Sequence, residues 1–467
     1  MPFLRVFSAL CLPGGGFVWG HFTVGYDESS LDQKSINAMC IFDENNKFGV
    51  LSISNTLGTK GLEIEEAMAK ILYDESTPTR AQITSGIRRK LRFVLTDRCP
   101  AQENANRLLI ERLANDELRR DLPPVQQIVC MMHHVAHQEK EFSEALSTET
   151  EALMQNIRMC LGYRQGSGWK KHNLAPGFRA LTKIKTPFVS TVGCRFGDTY
   201  TNSLNILEYE NEVRTILDSL AEKKLKDKQK LTEKQQALKE CLTSEDWPRM
   251  RLEFGLCMVM WLHITGPLHT VVSRDTSFGT VKAALMECED KCKMILDGMT
   301  VGDVVAELKN QHMSEQARKS LALYEGWLNQ SNRHELEALQ ETMVNGVMNL
   351  QKKVDRDVPI IRALELNHDE KVPYTNRRCE SVFAVYKALH KRLMSMNSEN
   401  KAAVTRARMN NTPRWLGEKS VNDQAEMLKL SGEERKMVIE NRRLARERWE
   451  KEIEDKYFKD LESLVEK

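Results

Sequence analysis

Three acidic residues carry the sharpest chemistry in the sequence: Asp27, Asp97 and Glu380. Asp27 closes a strand-like run from His21 (HFTVGYD). Asp97 follows a short apolar run, Leu91 to Leu95 (LRFVL), and precedes a helical stretch that opens at Ala101 and continues through Leu108, Leu109 and Leu113. The carboxyl ends of strands in an open α/β sheet are where ligands and catalytic groups gather, because loops there vary while the sheet stays fixed. A lone Asp between strand and helix is adequately explained as a helix cap. Two such acids facing one another repel unless a cation lies between them, and hard oxygen ligands suit magnesium or manganese. A two-metal phosphoryl-transfer centre needs about three carboxylates around ions ~4 Å apart. Glu380, in the first turns of a helix whose apolar face runs through Val382, Phe383, Tyr386, Leu389 and Leu393, is the third candidate, although no spacing rule selects it from 66 acids.

The elements that must position these acids can be taken in order. After His21–Asp27, the runs Ser35–Phe42 and Phe48–Ser54, separated by the polar 43–47, predict a hairpin. Leu62, Ile64, Ala67, Met68, Ile71 and Leu72 have helical spacing. The strand before Asp97, its helix, and a short run at Gln127–Met132 complete the series. Three strands, helix, strand, helix, strand, helix is the order of a ribonuclease-H-like domain, in which the first and fourth strands are neighbours at the sheet centre. The predicted fold is therefore α/β: a ribonuclease-H-like mixed sheet interrupted by a large all-α insertion, with a charged C-terminal helix. The predicted segments are an extension over 1–20, the first part of the α/β domain over 21–200, the helical insertion over 201–365, the rest of the α/β domain over 366–416, and a charged tail over 417–467. Within the insertion, Leu217–Leu242 reads as a solvated or coiled-coil arm, and the eleven-residue apolar run Phe254–Ile264 as a core helix. In the tail, 433–460 carries nine acids and nine Lys/Arg, the pattern of an exposed helix or oligomerisation arm.

Composition narrows the function classes. Hydrophobic content of 41% with 29% charged residues describes a folded globular chain, which excludes an intrinsically disordered one. Eleven cysteines, an odd number without a repeating frame, favour free thiols in a reducing compartment over a secreted disulfide scaffold. No apolar run approaches the ~20 residues of a membrane span, and the apolar stretch in the first twenty residues is too brief for a convincing secretory signal. Net charge is only +2, but it is uneven. Arg158–Phe196 holds eight Lys/Arg and no acid, interleaved with Tyr163, Trp169, Phe178 and Phe188, and it contains Lys170 and Lys171. Lys371–Trp415 holds ten Lys/Arg against two acids and contains Arg377 and Arg378. Basic stretches with interspersed aromatics suit phosphate neutralisation and base stacking, so DNA is the expected partner and no membrane is. Cys130, His133 and His137 have spacing that suits zinc, but no second pair of ligands accompanies them.

The ordered set of motifs resembles the hAT superfamily of DNA transposases. Strand-ending Asp27 in YDESSL, Asp97 in TDRCPAQENANRLL, and Cys130-Met131-Met132-His133 one strand later follow the order of a DDE transposase with its Cys/Asp-x-x-His string. Arg195-Phe196 in GCRFGDTYTNSL, a helical insertion, and Cys379-Glu380-Ser381-Val382-Phe383 come after them. The resemblance covers roughly 22–416. It implies that Asp27, Asp97 and Glu380 form a metal-binding catalytic triad for two Mg2+ or Mn2+ ions, with cleavage by water attack followed by joining of a 3′-hydroxyl to target DNA. It implies that Cys130 and His133 support the site and nearby nucleic acid. Arg195-Phe196 stands where the family usually has Arg-Trp, associated with a flipped base; Phe offers a smaller stacking surface. Nuclear localisation and a homo-oligomer with a dimerisation region over 366–416 also follow from it. The family usually begins with a zinc-binding BED-type finger, and its ligand pattern does not occur before Asp27. That departure implies a fragment, a decayed element or a domesticated derivative that binds DNA or protein without catalysis.

Overall fold

The computed structural model describes residues 21–31, 34–44, 48–56, 60–97, 99–162, 172–184, 187–188, 197–274, 276–375, 377–393, 396 and 398–426, with scattered positions to 447. The predicted extension over 1–20 lies outside the described residues, as does most of the charged tail. The chain divides into two compact units, one formed by 1–128 with 376–467 and the other by 129–375. The helical unit therefore starts at 129, well before the predicted 201, and runs to 375, past the predicted 365. Its early helices explain the difference: Leu153 and Ile157 bury their side chains in one cluster with Ile206, Leu217, Leu238 and Phe254.

The first unit is mixed α/β around one five-stranded sheet. Strands β1 (Phe22–Leu31), β2 (Lys34–Asp43), β3 (Phe48–Thr56), β4 (Leu91–Thr96) and β5 (Gln126–Val129) lie in the order β3-β2-β1-β4-β5. β2 is antiparallel to β1 and β3, and β4 is parallel to β1. All five predicted strands are present. Helix α1 (Gly61–Leu72) was also expected, whereas α2 (Pro78–Lys90) was not; α3 (Pro100–Ala114) follows β4.

Both faces of the sheet are covered, as alternation along the strands requires. Val24, Tyr26, Met39, Ile41 and Val94 pack on one side against Ile64, Met68, Ile83, Ile87 and Leu109 of α1 to α3. On the other side Ile36, Ala38, Cys40 and Phe42 pack against Cys379, Val382, Phe383 and Tyr386. Those four belong to a helix at Arg377–Arg392, which is followed by helices at Ser398–Met409 and Thr412–Gly417. The last residues of this segment also protect the sheet edge. Val50 on β3 donates its N–H to Asn410 Oδ1 at 2.8 Å and accepts from Asn410 Nδ2 at 3.2 Å, so one side-chain amide stands in for a neighbouring strand.

Among the described residues, the regular structure of the second unit from Met131 on is helical. Helix α4 (Met131–Ser143) packs against the thirty-residue helix Arg333–Arg362, with His134 Nδ1 2.6 Å from Asp357 Oδ2 and both residues fully buried. The expected arm at Leu217–Leu242 is instead two helices, Glu210–Lys226 and Glu233–Thr243. They turn at 227–232 so that Leu217, Leu238 and Leu242 all reach the core. Apolar residues hidden among the Lys and Glu override the charge pattern. Among the described residues one helical run, Trp247–Val272, is long and apolar enough to cross a membrane, and 67% of its most apolar window is buried inside the protein. That degree of burial fits the core helix expected from Phe254–Ile264.

Candidate metal-binding acids on the sheet

Asp27 does not end its strand. β1 continues four residues further, paired with β2 down to Leu31 opposite Lys34, and Asp27 itself lies opposite Ala38. What stops near Asp27 is the parallel ladder with β4, whose last pair is Gly25 opposite Leu95. Asp27 follows Gly25 by two residues on the same sheet face, opposite Ala38, and Asp97 follows Leu95 by two residues, just past the end of β4 at Thr96. The expected juxtaposition of the first and fourth strands is therefore present, although the hairpin extends beyond it.

Gln102 takes over where the ladder ends. Its Oε1 accepts from Asp97 N–H at 3.1 Å, and its Nε2 donates to the Tyr26 carbonyl at 3.2 Å. One fully buried amide thus ties the peptide preceding Asp27 to the peptide preceding Asp97. Asp97 Oδ1 in turn accepts from Cys99 N–H at 2.9 Å, an Asx-turn that leads into Pro100 at the first position of α3. Asp97 is half-buried, and Asp27 is only 7% exposed.

The helix bearing Glu380, which we call α16 after the helices of the second unit, reaches the same face through a close approach. A Cβ at Gly25 would stand 3.2 Å from Cys379 Sγ and 3.0 Å from the Phe42 ring, so the helix packs close over this glycine and a larger residue would press on both neighbours. Cys379 is fully buried and Glu380, next to it, is half-buried. Asp27 lies on the sheet face of Gly25 and Ala38, against which the helix bearing Glu380 packs through Cys379, and Asp97 follows the neighbouring strand β4. Among the described residues no three His, Cys, Asp or Glu side chains stand close enough together to hold a metal ion. Asp27, Asp97 and Glu380 are not assembled as a ligand set.

Cys130 and His133 belong to the second unit, at the start of α4, with His133 Nδ1 3.3 Å from Cys130 Sγ. His137, one turn on, is held below the ordinary histidine value by burial and by Lys353, Arg356 and His133. Lys170, Lys171, Arg195 and Phe196 lie outside the described residues. So do the side chains of Arg377 and Arg378, which open α16.

The residue directly after Arg195-Phe196 is part of an arrangement that sequence reasoning missed. Gly197, at φ 88°, caps the helix Asp198–Glu208, and a Cβ there would come within 2.9 Å of Trp261. Trp261 starts a single π-helical turn, Trp261–Thr265, and its ring stacks on Tyr200 with centroids 5.3 Å apart. Gly197 N–H donates to Glu139 Oε2 at 2.9 Å. Burial pushes the Glu139 carboxyl up to about 8; the Gly197 hydrogen bond and Arg158 oppose that rise and Asp198 adds to it. The glycine in RFGDTY was the available signal, since a helix entered through a left-handed residue asks for one.

No protein-family model matches the chain, and the search of curated proteins returned no match.

Proposed function

We propose that the first unit is a ribonuclease-H-like scaffold derived from a hAT-type DDE transposase, that it binds DNA in the nucleus, and that Asp27, Asp97 and Glu380 would hold its divalent ions. The observation that supports this reading is the parallel pairing of β1 with β4, past whose last pair, Gly25 opposite Leu95, Asp27 and Asp97 each follow by two residues. The strand order and the approach of α16 to the face that carries Asp27 support it further. Bound there, a pair of Mg2+ or Mn2+ ions would supply activation of the attacking oxygen and stabilisation of the leaving one. Gln102 fixes the spacing of the two Asp backbones, and the Asx-turn orients the Asp97 carboxylate. Water attack on a phosphodiester would release a 3′-hydroxyl and a 5′-phosphate, and that hydroxyl would then displace a phosphodiester in target DNA. Arg377, Arg378, Lys170, Lys171, Arg195 and Phe196 are assigned to phosphate and base contacts, with Cys130 and His133 in support. Residues 366–416 are assigned to homo-oligomer formation.

The test is metal-dependent nicking and strand transfer on labelled duplex DNA by the full chain. Activity that needs Mg2+ or Mn2+ and is abolished in Asp97→Asn supports the reading; activity unaffected by Asp97→Asn overturns it. A second reading, a derivative that binds DNA without cutting it, is favoured by the burial of Asp27. A strand-cleavage centre must admit a phosphodiester, and Asp27 is nearly closed to solvent. Salt-sensitive retention on DNA without any cleavage would select that reading, because phosphate contacts make affinity fall steeply with salt.

A further inference from the structure

A second site lies in the helical unit, beside its π-helical turn. Gln138 and Glu139 of α4, Thr199 and Tyr200 of the helix Asp198–Glu208, and Trp261 and Thr265 at the two ends of the π turn line one cavity of about 20 Å3. All of them belong to the second unit. Three separate helices build the cavity, so its shape is set by their packing and does not depend on a loop. Single π turns inside α-helices are frequent where the helix serves a site.

The polar groups around it are not all satisfied by the protein. Gln138 is fully buried, and its Nε2 donates to Cys288 Sγ at 3.5 Å. Its Oε1 is buried as well and accepts from none of the described residues. A buried acceptor left in that state costs as much as a lost hydrogen bond, and native proteins commonly meet the need with an internal water. Glu139 brings a second polar group. Its Oε2 accepts from Gly197 N–H at 2.9 Å, and burial raises its carboxyl to about 8, so at neutral pH it offers an O–H donor. The third is the hydroxyl of Thr265, which is 4% exposed and can donate and accept at once. An unpaired acceptor, a donor and a two-way hydroxyl form the mixture that a water molecule can join.

We propose that this cavity is the binding site of one internal water, which donates to Gln138 Oε1 and bridges it to the Glu139 carboxyl and the Thr265 hydroxyl. A water needs at least about 10–15 Å3 of such space and about two to four polar partners; the cavity meets both conditions. It is far below the ~300 Å3 at which organic ligands begin to fit, so its occupant is a neutral hydrogen-bonding molecule of water's size. Held there, the water ties α4 to the π turn and gives the buried Gln138 amide, which apolar packing does not explain, a defined role. The site does not depend on the acidic triad, and it holds whether or not the chain binds DNA.

The experiment is oxygen-17 magnetic relaxation dispersion of water in solutions of the full chain, which reports waters that stay inside the protein longer than it tumbles. Gln138→Met removes the unpaired acceptor with little change of volume, and Thr265→Ile removes the hydroxyl and fills the space. Each variant is expected to lower the dispersion amplitude by the equivalent of one long-lived water relative to the wild type, with circular dichroism confirming the fold. Thr265→Ile adds bulk to a packed turn, so Gln138→Met keeps the test decisive if that variant unfolds. A wild-type amplitude in either folded variant overturns the proposal.

Discussion

Replacing Glu139 by glutamine is expected to remove a specific pH dependence from the second unit. Glu139 is buried beside Gly197, with its carboxyl raised from 4.5 to about 8. An acid raised in this way keeps its proton in the folded state at pH values where the unfolded chain has released it. Stability therefore falls as pH rises from about 4.5 and levels off above about 8. At ~1.4 kcal/mol per pH unit the whole window corresponds to about 5 kcal/mol, of which about 2 kcal/mol falls between pH 6.5 and 8. The upper part of the window is the clean one. Burial pushes His263 down to about 4 and also lowers His137. A depressed histidine makes stability rise with pH below its unfolded value of ~6.5, which opposes the Glu139 slope there. Glutamine keeps an oxygen to accept from Gly197 and has no proton to lose. Urea unfolding of the full chain, followed by tryptophan fluorescence at half-unit steps from pH 6.5 to 8.5, measures the effect. The wild type should lose about 2 kcal/mol relative to Glu139→Gln across that range. Parallel curves for the two proteins would refute the reasoning, because they would mean that Glu139 is already ionised or stays protonated throughout.

Four further outcomes follow from the packing. Burial alone would raise the Asp357 carboxyl, but the hydrogen bonds from His134 and Arg356 hold it well below the usual range. Such an acid stabilises the fold above its unfolded value of ~3.9 and loses that contribution as pH falls, so acid unfolding should begin below about pH 4. His134→Ala, which strips a fully buried partner, should cost about 3–5 kcal/mol in urea unfolding. Asn410→Ala removes both hydrogen bonds to the Val50 backbone and should cost about 2 kcal/mol, with faster hydrogen exchange at the Val50 amide as the local signature. Gly25→Ala forces a methyl against Cys379 and Phe42 and should destabilise the first unit by about 1–3 kcal/mol, seen as a lower thermal midpoint.

The strands were legible because each pairs an apolar run with a polar stop, and the helix after β4 because Leu108, Leu109 and Leu113 repeat with its period. Helix α2 was missed. PTRAQITSGIRRK offers only Ala81, Ile83 and Ile87 as apolar anchors, a stripe too thin to read, although Thr77-Pro78 is a good helix start. The run to Asp27 looked finished because Glu28-Ser29-Ser30 is polar, yet backbone pairing with β2 continues through it; a hairpin arm needs no apolar alternation to stay paired. Asp97 was readable from the end of its strand; Asp27 was read from a strand end that the structure moves four residues on, to Leu31. Where Glu380 lies was not readable, because its helix is placed by the approach of Cys379 to Gly25, more than three hundred residues apart in sequence. The Gln102 clamp was hidden for the same reason: a single amide across seventy-six residues leaves no periodic trace. The second unit's polar centres, His134–Asp357 and Glu139–Gly197, are likewise long-range pairs inside helices that read as ordinary amphipathic ones.

The most direct test of the central claim is Mn2+ binding to the full chain, followed by electron paramagnetic resonance, in the wild type and in Asp27→Asn, Asp97→Asn and Glu380→Gln. Circular dichroism would confirm that each variant is folded. If the three carboxylates share one metal centre, the wild type binds Mn2+ saturably and each substitution weakens binding by at least about tenfold. Binding in Glu380→Gln equal to that of the wild type would remove Glu380 from the site, and no saturable Mn2+ binding by the wild type would contradict the metal-centre account altogether.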